Sequence, residues 1–91
     1  MSRAGAWSVY VVRCADGTLY TGVTTDLGRR LAQHDSGKGA AYTRGRGPVT
    51  LLYSRPRLTR SQALVREAAI KALPREEKLA LVRGRSRFRR S

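Results

Sequence analysis

"WSVYVVRCADGTLYTGV", Trp7 to Val23, is the stretch on which the fold of this chain turns. Trp7 to Arg13 is rich in β-branched and aromatic residues and reads as a strand. Asp16-Gly17 is a strong turn signal, and Thr18 to Val23 reads as the returning strand. Side chains alternate along a strand, so the length of the loop decides which face each tyrosine takes. A two-residue turn puts Tyr10 and Tyr20 on opposite faces. A three-residue loop, Ala15-Asp16-Gly17 with Gly17 left-handed, pairs Tyr10 with Gly22 and Tyr20 with Val12. Both tyrosines then share one face, and Gly22 leaves space beside Tyr10. The three-residue form is favoured, because it is a common hairpin with glycine at that position. The plainer reading of the same residues is packing tyrosines and a glycine that only marks a bulge.

Beyond the hairpin, Asp26 is placed to cap a helix over Leu27 to Asp35, which Gly37 stops. At 100° per residue, Leu27 and Leu31 define the buried direction of that helix. Arg30 and His34, at i and i+4, form one ridge on the edge of that apolar face, while Arg29 points to solvent. An arginine held there by packing can fork onto a phosphate, and a histidine beside it can relay a proton near neutral pH. Alternatively, Arg30 lays its stem on the core and His34 is a half-buried packing residue.

Ser36 to Pro48 is glycine-rich, basic and loop-like. Val49 to Ser54 reads as a third strand. Thr59, with Ser61 as its competitor, caps a second helix over Arg60 to Leu73. Pro74 takes the first position of a third helix, Arg75 to Val82. The order β-β-α-β-α-α predicts an α/β chain of the α+β type, a small three-stranded antiparallel sheet flanked by helices. Residues 1–6 are a lead, 7–82 the domain, and 83–91 a polybasic tail expected to be disordered.

Lys and Arg number 19 against 6 Asp and Glu, a net charge of +13 on 91 residues. Such a body attracts anionic partners, nucleic acid first among them. Cys14 is the single cysteine, which excludes an internal disulfide framework, and one cysteine with one histidine does not build a zinc site. No signal-peptide-like run and no apolar stretch of membrane-spanning length is present. A soluble, cytoplasmic protein without a membrane partner is expected.

Among the six acids, Asp16 is claimed by the turn and Asp26 by the cap. Glu67 lies mid-helix in "SQALVREAAIKAL", in a narrow polar strip with Arg60 and Lys71 flanked by Ala63, Leu64 and Ile70. A partly buried carboxylate needs a partner. A divalent cation is one, and Lys71 at i+4 is the other. One carboxylate is few ligands for a metal, but Mg²⁺ commonly keeps several waters and takes only one or two carboxylates plus substrate phosphate.

Tyr10, Tyr20-Thr21-Gly22, Arg30, His34 and Glu67, in that order, resemble the GIY-YIG endonuclease domain family. The first family motif matches "SVY", Ser8 to Tyr10, of which the terminal tyrosine is kept. The second matches "YTG", Tyr20 to Gly22, with threonine for isoleucine. The family arginine falls on Arg30, a following His or Tyr on His34, and the family glutamate on Glu67. The resemblance spans about residues 7 to 80 and is strongest to the stand-alone bacterial (YhbQ-like) subgroup, helped by "SGKGAAYTRGRGPV". One departure stands out. Many family members carry an asparagine beyond the glutamate, where this chain has Leu79 and contains no asparagine at all.

The resemblance implies a GIY-YIG fold and phosphodiester hydrolysis assisted by one divalent metal, Mg²⁺ or Mn²⁺, held by Glu67. It implies Arg30 on a non-bridging phosphate oxygen and Tyr10, directly or through His34, deprotonating the attacking water. Tyr20 would orient water or phosphate. Because a tyrosine's ordinary pKa lies near 10, Arg30, with Lys38 as a second cation, is expected to lower that of Tyr10. Lys38, Tyr42, Arg44 and Arg46 in the glycine-rich loop, with Arg83 and Arg85 in the tail, are expected to grip nucleic acid, DNA ahead of RNA. A protein partner supplying specificity fits so small a domain. The competing reading is a module that binds DNA or RNA without cutting it.

Overall fold

Gly17 closes the hairpin with φ +89°, the left-handed conformation its missing side chain permits. The Cys14 N–H donates to the Thr18 carbonyl at 2.8 Å and the Gly17 N–H to the Cys14 carbonyl at 2.9 Å, so the loop is Ala15-Asp16-Gly17. The Asp16 carboxylate accepts from both the N–H and the hydroxyl of Thr18, at 3.0 and 2.6 Å. This is the three-residue loop expected, and its register follows: Tyr10 lies opposite Gly22 and Tyr20 opposite Val12.

The computed structural model describes residues 5–35 and 48–83. Its elements are β1 (Trp7–Arg13), β2 (Leu19–Thr24), α1 (Leu27–Asp35), β3 (Thr50–Leu58), α2 (Arg60–Lys71) and α3 (Arg75–Val82). The sheet is antiparallel in the order β2-β1-β3, with β1 at its centre. The architecture is the three-stranded α/β arrangement expected, in the order β-β-α-β-α-α.

Several boundaries differ from the sequence reading, and the second strand lies one residue further along than read, at Leu19–Thr24. The third strand starts one residue later and runs on through Pro56 to Leu58. Pro56 is tolerated because β3 is an edge strand and the pairing there is irregular. Trp7 pairs with Leu58 and Val9 with Arg55, so β3 carries one extra residue, and Arg57 absorbs the bend at φ +65°. The second helix stops at Lys71, not Leu73, because the residue before a proline is pushed out of the helical region. Pro74 itself has ψ 156° and flanks α3 instead of opening it; its carbonyl accepts from the N–H groups of Glu77 and Lys78.

Thr59 caps α2 in full. Its side chain accepts from the Gln62 N–H at 3.1 Å, and the Gln62 side chain accepts from the Thr59 N–H at 2.9 Å. The core lies on the face of β1 that carries Val9 and Val11, against Tyr53, Leu58, Ala63, Ile70 and Leu81. Each large apolar side chain buried there contributes roughly 1.5–3 kcal/mol. The alternate positions of β1, Tyr10 among them, serve the other face. Among the described residues no helix is long and apolar enough to cross a membrane.

Candidate active site

The handover from β2 to α1 is fixed by short polar links. The Asp26 N–H donates to the Thr24 hydroxyl at 3.1 Å, and the Asp26 carboxylate accepts from the Arg29 N–H at 3.1 Å. Asp26 is thus the cap its position predicts. The helix it starts buries one residue fully, and that residue is His34. Leu27 and Leu31, expected to set the buried direction, are only half-buried. Arg29 is exposed, as expected, and Arg30 is half-buried.

Tyr10 and His34 are both 0% exposed, and the Tyr10 hydroxyl lies 2.9 Å from His34 Nε2. Tyr20 completes a three-ring cluster, with its ring 5.4 Å from that of His34 and 6.4 Å from that of Tyr10. The Arg30 guanidinium lies close enough to both tyrosines to interact with their hydroxyls, and it is steadied by Gln33 Oε1, which accepts from its Nη1 at 3.1 Å. Gln33 was not singled out in the sequence, although its i+3 spacing from Arg30 is a legible pairing signal.

Arginine offers only donors, so toward Arg30 the Tyr10 oxygen can only accept. The direction of the Tyr10–His34 hydrogen bond follows the imidazole tautomer: with Nε2 bare, Tyr10 donates to His34. Protonation of His34 is disfavoured: burial lowers its pKa first and the Arg30 charge second, with Asp35 opposing. Tyr10 departs from expectation. Arg30 does pull its pKa down, but burial outweighs that pull and the net shift is upward, with the charges of Tyr20 and Glu67 adding to it. At neutral pH, Tyr10 is therefore a phenol, not a phenolate.

Gly22 sits across from Tyr10 in the register, and the space it leaves is filled by the tyrosine's own tip. A Cβ there would lie 2.6 Å from Tyr10 Oη and 2.8 Å from Cζ. No other residue type fits without displacing the hydroxyl from His34.

Glu67 stands on α2, its side chain 19% exposed, and pairs with Lys71 Nζ at 3.3 Å. It is close enough to Tyr10 for its charge to disfavour the phenolate. Among the described residues, no three His, Cys, Asp or Glu side chains come together. A carboxylate oxygen of this kind fits a hard cation that keeps most of its own water, which is the habit of Mg²⁺. Of the residues expected to touch nucleic acid, Arg83 is exposed at the end of α3. Lys38, Tyr42, Arg44, Arg46 and Arg85 lie outside the described residues.

The fold and the cluster together define a small α/β domain that gathers two tyrosines, an arginine and a histidine around one hairpin, with a carboxylate within electrostatic reach. The chain belongs to the family of the GIY-YIG catalytic domain, whose model matches residues 6–80. It is 50% identical over 82 residues to a UPF0213 protein of Cronobacter sakazakii, covering 90% of this chain and 86% of that one. It resembles the solution structure of a UPF0213 protein from Bacillus halodurans, with a TM-score of 0.55 and 46% identity over 84% of this chain and 81% of that one. A solution structure of a protein from E. faecalis is similar as well, with a TM-score of 0.57 and 42% identity over 85% and 82% of the two chains.

Proposed function

We propose that this protein is a divalent-metal-dependent endonuclease that hydrolyses phosphodiester bonds in DNA, guided by the structure of its substrate more than by its sequence. One observation carries the reading: the buried Tyr10 hydroxyl lies 2.9 Å from Nε2 of the buried His34, with the Arg30 guanidinium beside the tyrosine. A pure binding module gains nothing from burying a tyrosine and a histidine to hold one proton between them. Burying Glu67 beside a polyanion would cost such a module affinity.

The chain does chemistry as follows. Water attacks phosphorus, and its proton passes to the Tyr10 oxygen as Tyr10 gives its own proton to His34 Nε2. The Tyr10 oxygen is closed to solvent in the free protein and is reached by that water only when bound substrate opens the site. Tyrosine thus relays the proton without ever becoming a phenolate, which its raised pKa would oppose. The phosphorus–oxygen bond to the leaving nucleoside breaks, and that oxygen takes a proton from solvent. Arg30 keeps donors free for a non-bridging oxygen as charge grows there, a kind of contact worth roughly 10²–10³ in rate. Tyr20 packs against the His34 ring and fixes where the phosphate and water can sit. Glu67 would hold the metal ion, which neutralises charge on the phosphate and the leaving oxygen. Arg83 and the basic segments around it contact backbone phosphates, which gives affinity without sequence information.

The test is cleavage of single-stranded, duplex and branched DNA, with RNA alongside, in Mg²⁺, in Mn²⁺ and in chelator. Glu67→Ala serves as the control for contaminating nuclease. Metal-dependent cutting that the variant loses is expected. Tight, salt-sensitive binding with no cutting of any substrate would replace this reading with the binding module.

A further inference from the structure

Beside Arg30 the molecule holds a second feature. A cleft of about 320 Å³ is lined by Trp7, Thr24, Thr25, Asp26, Arg29, Arg30, Gln33 and Val23. Its volume is at the small end of ligand-binding pockets, which run from about 300 to 1,000 Å³. A duplex does not enter a space of that size; a single nucleotide does.

The lining is chemically mixed in a particular way. Trp7 supplies a half-buried aromatic wall: part of it packs against the apolar core, the Arg60 guanidinium lies 6.0 Å from its ring centroid, and the rest lines the cleft. Arg29 and Arg30 supply two fixed positive charges. Asp26 lines the cleft too, but its carboxylate is engaged by the Arg29 backbone N–H as the cap of α1. Two cations against one capped carboxylate leave the cleft net positive. Thr24, Thr25 and Gln33 add short hydrogen-bonding groups at the rim. An aromatic face to stack a base, guanidinium groups for phosphate and a few polar contacts are the means by which unpaired nucleotides are held.

Arg30 is the shared wall. Its guanidinium interacts with Tyr10 and Tyr20 and also holds Gln33, a cleft residue. A strand whose scissile phosphate rests on Arg30 therefore carries a neighbouring nucleotide to the cleft. We infer that this cleft is the subsite for an unpaired nucleotide flanking the scissile phosphate, with Trp7 as its stacking platform and Arg29 on the next phosphate. The inference rests on the nuclease reading and sharpens it, since it assigns single-stranded or locally unpaired nucleic acid as the substrate class.

Trp7 is the only tryptophan in the chain, so the fluorescence comes from this one residue at the cleft. The experiment uses the full chain in chelator, where nothing is cut. It titrates an oligothymidylate of about eight nucleotides, within the usual range of single-strand site sizes, against a hairpin duplex with the same number of phosphates. Fluorescence anisotropy of a dye on each oligonucleotide measures binding independently of the tryptophan. The single strand should quench Trp7 saturably and bind roughly 5- to 100-fold more tightly than the duplex, the range one stacked base supplies. Trp7→Ala should bring the two affinities together, with circular dichroism checking that the variant folds. The wild-type quenching needs no variant and stands by itself. Binding by anisotropy without quenching overturns the subsite and leaves the nuclease reading intact. Equal quenching by the duplex overturns the assignment to unpaired nucleotides. No binding of either oligonucleotide overturns both readings.

Discussion

The two faces of the sheet are built on opposite terms, although they share the same strands. One face of β1 presents Val9 and Val11 to Ile70, Ala63 and Leu81, in a predominantly apolar cluster. The other presents Tyr10, whose buried partner on α1 is a histidine. Adjacent residues of one strand thus do different work: the valines hold the domain together, and the tyrosine holds a proton. The hairpin loop keeps these roles apart, because a slip of one residue would send every side chain to the other face. Ala15-Asp16-Gly17 is therefore as much a part of the site as Tyr10.

The largest expected effect falls on the apolar face. Ile70 is fully buried, and Ile70→Ala should cost about 2–5 kcal/mol of stability, read from urea unfolding. Cleavage per folded molecule should be unchanged. A fall in specific activity that tracks the loss of stability would mean the two faces are not separable.

On the other face, Gly22→Ala tests the same division from the polar side. Its Cβ would press on the tip of a tyrosine that has nowhere exposed to go. Overpacking of this kind costs about 1–3 kcal/mol. The more telling readout is chemical. Cleavage should fall well beyond what the stability change explains, because the Tyr10–His34 hydrogen bond is displaced. Full activity in a folded Gly22→Ala protein would remove that bond from the mechanism.

A smaller effect follows from the protonation of the pair. Burial holds the pKa of His34 below its ordinary value of about 6.5 and that of Tyr10 above its ordinary value of about 10. For His34, the unfolded chain takes up a proton first as pH falls, so its contribution is complete above pH 6.5 and is lost on descending through the lower, folded value. For Tyr10, the unfolded chain loses its proton first, so stability is lost as pH rises above 10. A plateau between these limits is expected in thermal unfolding. His34→Gln should flatten the acid side; an unchanged acid slope would show that other groups carry it.

What could be read in the sequence was what depends on neighbours along the chain. The three-residue loop follows from one glycine, and the ridge of Arg30 and His34 from helical spacing alone. The caps at Asp26 and Thr59 are equally local. Three features depended on contacts that spacing does not encode. The third strand reads as ending at Ser54, because its continuation through Pro56 to Leu58 rests on irregular pairing with β1 and a bend at Arg57. The two leucines of α1 read as its buried side, whereas the fully buried residue is His34, claimed by Tyr10 from another element. The direction of the Tyr10 pKa shift was misread because a cation beside a tyrosine is visible in sequence and the depth of its burial is not.

The smallest expected change in stability, and a sharp test of the division, lies at Glu67. It stands on α2, the helix whose Ala63 and Ile70 serve the apolar face, yet its charge reaches Tyr10. Lys71 pairs with it at 3.3 Å but is itself 54% exposed, so the pair contributes at most about 0.5 kcal/mol. Lys71→Gln should leave the melting temperature nearly unmoved. If Glu67 holds a cation, Lys71 competes with that cation for the same carboxylate oxygens. Removing the ammonium should then tighten Mn²⁺ binding, followed by its paramagnetic resonance, and lower the Mg²⁺ concentration needed for half-maximal cleavage. A drop in melting temperature with no change in metal affinity would make the pair a stabilising link of the helix, and Glu67 would then belong to the structural side of the molecule.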